Sequence, residues 1–264
     1  MVRFSIPLIP NTMFWWITNL SDRYLIGYLM EDGTRHTGIY AAASKLPNFV
    51  TLVSTIFMQA WQLSAIQEYH TKDKSRFYTQ VFTTFQMVVF VCTSLLMVLS
   101  KPVLSLLISD SFDNPAPFVP FLLIGVAFQC LVNFFSTLYI AEKRSISNMV
   151  TTFVGAGTNI ALNLLFIPVW GVQGAAFATF FSFFVVFVIR YIDFRLVKGM
   201  EIRFGPVLLN TVIVVTQTFV KVLQPAYHEA IEIAMCILLL LCNGLPLIRV
   251  CKQFFGMVKQ RLRH

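Results

Sequence analysis

The chain has 264 residues, 57% of them hydrophobic and 12% charged, with 27 phenylalanines and a mean hydropathy of +0.72. Soluble domains carry about twice that share of charge, so the composition excludes a soluble globule, a soluble enzyme and a disordered chain. The formal charge of +8 is spread between apolar runs instead of forming a patch, which points to the anionic face of a membrane and away from nucleic acid.

Apolar runs long enough to cross hydrocarbon fall at 4–30, 38–66, 80–100, 118–141, 147–168, 172–193, 206–222 and 228–250. They predict an all-α integral membrane protein with about eight transmembrane helices. The run after Arg3 is too long for a signal-peptide core and lacks a small-residue cleavage site, so it reads as a first span. Pro7, Pro10 and Pro47 lie inside long runs and predict kinks, not breaks. The third and fourth runs are mainly apolar and aromatic, suited to lipid or to a bundle interior. Between the fifth and sixth, Pro168, Gly171, Gly174, Ala175 and Ala176 make a small-residue turn flanked by Asn159, Asn163 and Thr179; tight packing accounts for all of them. The seventh run, 206–222, is the shortest and carries Asn210 and Gln217. After Cys251 the chain ends in a basic stretch that suits an interfacial helix or a solvated stop.

The basic residues check this count. With the amino end in the cytoplasm, fifteen Lys and Arg, Arg190 among them, fall on the inner side, and only Arg35, Lys101 and Lys221 on the outer. That asymmetry orients both termini to the cytoplasm, and it requires the seventh span.

Three charges remain inside spans: Asp22, Arg23 and Lys45. Each costs at least about 2.5–3.5 kcal/mol to insert, so each should face protein or a wet cavity. An antiparallel hairpin turning near Gly33 would bring the three to one level, about 10 Å below the outer surface. Two readings stand: Asp22 pairs with Lys45 or Arg23 and locks two helices, or the surplus positive charge draws an anionic substrate while Asp22 serves as a proton or cation site. On the second span Ser44, Asn48, Thr51, Thr55, Gln59 and Gln62 recur every three or four residues, a polar face that suits a cavity wall or interhelical hydrogen bonds.

Enzymatic patterns are weak. His36, His70, His228 and His264 fall in loops or the tail, and HExxH, GxSxG and P-loop motifs do not occur. The five cysteines form no CxxC pair, so no metal site, disulfide frame or cofactor is expected. Glu31, Asp32, Asp110, Asp113, Glu229 and Glu232 read as solvated loop acids. A membrane-embedded glycan polymerase or ligase, which would use such acids, is the alternative class.

Two stretches carry a family resemblance. Gly38-Ile39-Tyr40-Ala41-Ala42-Ala43-Ser44-Lys45-Leu46-Pro47, preceded by Asp22-Arg23-Tyr24, resembles the start of the second half of polysaccharide-biosynthesis flippases. Asn163-Leu164-Leu165-Phe166-Ile167-Pro168-Val169-Trp170-Gly171-Val172-Gln173-Gly174-Ala175-Ala176-Phe177-Ala178-Thr179 is similar to their proline–glycine signature. These flippases share a superfamily with the multidrug and toxin extrusion exporters, and a drug exporter of that branch is a further alternative.

The resemblance implies a non-enzymatic transporter that flips polyprenyl-diphosphate-linked oligosaccharide across a bacterial or archaeal cell membrane by alternating access, with H+ or Na+ as coupling ion. It assigns 1–193 to a second six-helix lobe, 194–250 to two additional helices and 251–264 to a basic cytoplasmic tail. Asp22, Arg23 and Lys45, with Asn48 and Gln59 on the polar face, become the substrate or ion positions. Gly38, Tyr40, Pro47, Asn163, Pro168, Gly171 and Gly174 become the structural motif. Such transporters close a cavity between two lobes, so the chain is expected to need a first lobe or a second copy of itself.

Overall fold

The structure, a computed structural model, describes residues 20–67, 74–107, 113–197 and 204–261, the last helix beyond 244 by its backbone alone. Every ordered element among the described residues is helical, as a chain in hydrocarbon requires, because a helix satisfies its own backbone donors and acceptors. α1 comprises residues 20–29. It is followed by α2 (Gly33–Ala43), α3 (Pro47–Gln67), α4 (Lys74–Val98), the short α5 (Ser100–Leu107) and α6 (Val119–Ala141). α7 (Ser145–Trp170), α8 (Val172–Ile192), α9 (Phe204–Leu223) and α10 (His228–Arg261) complete the bundle.

Six segments among the described residues are long and apolar enough to span a membrane: Pro47–Ile66, Lys74–Val98, Ala116–Ala141, Ser145–Trp170, Val172–Leu196 and Gly205–Leu223. Of the eight expected crossings, most of the first lies outside the described residues, including Pro7 and Pro10. The eighth falls in α10, partly beyond the described side chains. The second is not the continuous kinked helix expected. Residues 44–46 form a turn between α2 and α3. Pro47 has no N–H to carry the ladder onward and sits instead at the first position of α3. Ser44 closes α2 by donating its N–H (3.0 Å) and its hydroxyl (2.8 Å) to the Tyr40 carbonyl.

α6 is the central post. Its span is 83% buried, the most of the six, and it touches α3, α4, α7, α8 and α9. Phenylalanines on several of its faces make those contacts. Phe134 stacks on Trp61 of α3 at 4.5 Å between centroids, and Phe82 of α4 meets Phe134 and Phe135 at 5.3 and 5.1 Å. Phe128 meets Phe184 and Phe187 of α8 at 5.2 and 5.3 Å. In lipid, where burial in protein gains little over burial in acyl chains, such close ring packing is a main source of helix association.

α9 and α10 dock on α4 through buried amides. Asn210 and Asn243 exchange bonds of 3.0 and 2.8 Å, Asn210 also donates to Gln86 (3.2 Å), and Ser94 donates to Gln217 (2.7 Å). The polar residues that made 206–222 a weak span are therefore its interhelical bonds. Lys221 and Glu232, read from the sequence as an exposed basic residue and a solvated acid, form instead a buried ion pair of 2.6 Å. Exposed ion pairs join Arg35 of α2 to Asp113 and Lys101 of α5 to Glu229 of α10, both at 2.5 Å, and Arg144 pairs with Asp193 at 2.7 Å. Helix α10 runs on past Cys251 to Arg261, so the carboxy-terminal basic stretch continues the last helix as far as that residue.

Candidate functional site

Asp22 projects from α1 into protein and is 2% exposed. Its carboxylate meets three other helices. Tyr40 of α2 donates its hydroxyl to Oδ2 at 2.6 Å. Asn163 and Asn159, one turn apart on α7, donate Nδ2 to Oδ1 at 2.6 and 3.1 Å. Thr179 of α8 donates to Oδ2. Asn159 in turn accepts from Ser21 (2.6 Å) and from Asn163 (3.2 Å), while Oδ1 of Asn163 is buried without a partner. Four neutral donors fill the acceptor positions of one carboxylate, and no cation bonds to it among the described residues.

Local backbone chemistry sets this geometry. The turn between α7 and α8 passes through Gly171 at φ 57°, ψ −136°, a region closed to side-chain-bearing residues. The Gly171 N–H closes α7 by bonding the Ile167 carbonyl at 2.8 Å. Pro168 lies within the last turn of α7. At Gly174 a Cβ would run into the carbonyl and side chain of Phe166. Only glycine lets α8 lie this close to α7, which brings Thr179 opposite Asn159 and Asn163.

The three intramembrane charges are not brought together as expected. Asp22 pairs with neither Arg23 nor Lys45, because buried amides and hydroxyls already fill its acceptor positions. Arg23 is exposed and lines a cavity of about 250 Å³ together with Asp22, Tyr40, Pro47, Asn48, Thr51 and Gln129. Lys45 is exposed in the turn between α2 and α3 and does not line that cavity. Gln59 lies on a neighbouring cavity of about 300 Å³ with Ser54, Thr55, Gln62, Asn133 and Ser136. The two cavities share Thr51 and Gln129, so the polar face of α3 lies along one seam against α6. Gly38 is half-buried in α2 and borders an outer recess with Arg35 and Asp113.

The sequence reading gives Asn163 a place in the structural motif but no bond to Asp22, and it assigns Asn159 and Thr179 to tight packing around the α7–α8 turn. The i, i+4 amide pair of Asn159 and Asn163 in an apolar helix was the available signal. Arg190, assigned to an inner loop end, is instead fully buried in α8.

The described helices form a bundle of membrane-length segments that encloses a buried carboxylate beside a polar helix face. Residues 7–165 match the MatE family, and the chain belongs to it. Curated proteins give no match. Among solved structures it is similar to an outward-facing multidrug resistance MATE transporter of the MOP superfamily, with 20% identity and a TM-score of 0.54, over 83% of this chain and 52% of that one. A MOP superfamily transporter from Pyrococcus furiosus, reported for the reverse polarity of its binding pocket, matches at 20% identity and a TM-score of 0.56 over the same shares. A MATE protein in complex with Br-NRF matches at 15% and 0.54, over 91% and 65%. The chain thus spans about half the length of the first two. At these identities the likeness is one of fold.

Proposed function

We propose that this chain is one lobe of an alternating-access transporter that flips polyprenyl-diphosphate-linked oligosaccharide, with H+ or Na+ bound at Asp22 as the coupling ion. The observation that carries this reading is the division of charge. Asp22 is 2% exposed and held by four donors where it borders the cavity, whereas Arg23 on the same cavity is exposed and Lys45 lies exposed nearby in sequence. A cavity whose accessible charge is positive, continued by hydroxyls and amides along α3, suits a diphosphate followed by sugars. Family membership alone equally allows a drug exporter. An exporter of cationic drugs would want a carboxylate free to meet its cargo, whereas donors from the protein fill the acceptor positions of Asp22.

The coupling role follows from the Asp22 cluster. Asn163 Oδ1 is an orphan acceptor on the side chain whose Nδ2 bonds the Asp22 and Asn159 oxygens. A proton on Asp22, or a small monovalent cation that displaces those amide donors from the oxygens, would remove the buried negative charge. The 1–193 segment as the lobe, α9 and α10 as an added pair, both termini cytoplasmic and a second lobe to complete the cavity are parts of the same proposal.

Substitution tests it. In the assembled transporter, Arg23→Ala should slow flipping of a diphosphate-linked substrate by at least about tenfold, the loss of one charge-assisted contact. Unchanged flipping in that variant would leave Arg23 structural and refute the reading.

A further inference from the structure

Among the described residues Arg190 is the largest fully buried side chain, and no carboxylate bonds to it. All five of its N–H groups go to neutral oxygens. Nε donates to Thr151 (3.0 Å), Nη1 to the Val132 carbonyl (2.9 Å) and to Ser136, and Nη2 to Thr152 (2.9 Å) and the Asn148 carbonyl (3.3 Å). Asp193, three residues on, is taken by Arg144 at 2.7 Å and by Tyr139 at 2.9 Å. The other buried cation, Lys221, has been given its own acid, Glu232. A structural cation in a low-dielectric interior is normally paired, because an unpaired buried charge costs several kcal/mol. Arg190 departs from that rule where the bundle has room: it lines a cavity of about 180 Å³ between α6, α7 and α8.

We infer that this cavity is an anion site, which takes a phosphate-sized oxyanion as the counter-charge of Arg190. The guanidinium reaches the cavity through Ser136 and Thr152, which both line it. Each hydroxyl accepts from Arg190 and now spends its own hydrogen on a carbonyl of its own helix, Val132 at 3.2 Å and Asn148 at 2.9 Å. Those hydrogens rotate freely, so both hydroxyls can turn to donate to an oxyanion while still accepting from the cation. Asn133 and Asn148 add amides to the same wall. The volume holds roughly six waters at about 30 Å³ each, enough for one tetrahedral oxyanion with residual hydration. Asn133, Ser136 and Ile140 also border the cavity that holds Gln59, so the site shares a wall with the polar seam along α3. The inference needs only the described bundle and does not depend on the flippase reading.

The test is binding of inorganic phosphate to the purified chain in phosphatidylcholine nanodiscs, by titration at constant ionic strength, with a second set of discs containing phosphatidic acid. Saturable binding of free phosphate assigns the site to a soluble anion. Protection of the chain by phosphatidic acid alone assigns it to a lipid headgroup. Ser136→Asp places a carboxylate against the guanidinium, supplying internally the charge that the ligand would bring. It should preserve the fold and weaken anion binding at least about tenfold. Thr152→Asp does the same from the opposite wall should the first variant fail to fold. Absence of anion binding in both kinds of disc, or binding undiminished in the Asp variants, would overturn the inference. No transport substrate enters the assay, so its failure is distinct from failure of the flippase reading.

Discussion

Replacing Asp22 separates its structural part from its proposed coupling part. In Asp22→Ala, Asn163 keeps its bond to Asn159 (3.2 Å) and Thr179 keeps its bond to the Ala175 carbonyl (3.1 Å). Tyr40 retains only a 3.3 Å contact with Thr179, and the Asn159 amide loses its acceptor. At about 1–3 kcal/mol for each stranded buried donor, the cost is roughly 2–6 kcal/mol. Asp22→Asn keeps the shape: its oxygen still accepts from the two α7 amides, and the Tyr40 and Thr179 hydroxyls turn to accept from its new NH2. That variant also removes a buried charge, so its stability should lie within about 1 kcal/mol of the native protein. Thermal unfolding in detergent should therefore rank the native chain and Asp22→Asn together, with Asp22→Ala well below. In the assembled transporter, both variants should lose the dependence of transport on the coupling ion. Equal destabilisation by Asn and Ala would refute the bond accounting, and persistent ion dependence in Asp22→Asn would refute the coupling role.

Other outcomes follow from the packing. Lys221→Met strands Glu232 inside the bundle and should cost about 3–5 kcal/mol, whereas Lys221→Met with Glu232→Leu should fall near the native stability, measured in the same unfolding assay. Gly174→Ala forces a methyl group into the Phe166 carbonyl, prises α8 from α7 and should cost about 1–3 kcal/mol; a native-like melting temperature would contradict the close approach. Arg35 holds the Asp113 carboxyl below its ordinary 3.8, and Lys101 holds Glu229 below 4.5. Acids depressed in the folded state stabilise it above their unfolded values and lose that contribution as pH falls through the lowered ones. A small loss of stability confined to pH below about 4.5 should therefore appear, and shrink in high salt because both pairs are exposed.

Much of the bundle was legible from hydropathy alone, because a run such as 118–141 or 172–193 has no other fate in a membrane. The polar repeat on α3 was also legible, since period 3.6 assigns Asn48, Thr51, Thr55 and Gln59 to one face whatever they meet. Partners were not legible. Asp22 finds its donors 137, 141 and 157 residues away, and no local pattern encodes which distant helix returns to it. Charge was misjudged where length misled. Arg190 stands near the end of an apolar run and before further basic residues, the place where a long side chain usually snorkels to water. Lys221 and Glu232 flank a turn and looked solvated, yet packing of α9 on α10 closes over both. Pro47 was expected to kink a helix and instead starts one.

The sign of the cargo is measured most directly by vesicle transport with the assembled transporter, this chain with the lobe that completes its cavity, offered in parallel a polyprenyl-diphosphate-linked oligosaccharide and a lipophilic drug cation. Movement of the lipid-linked oligosaccharide, abolished by Arg23→Ala with Lys45→Ala, is the predicted result. Movement of the cation while the oligosaccharide stays in its original leaflet would contradict it.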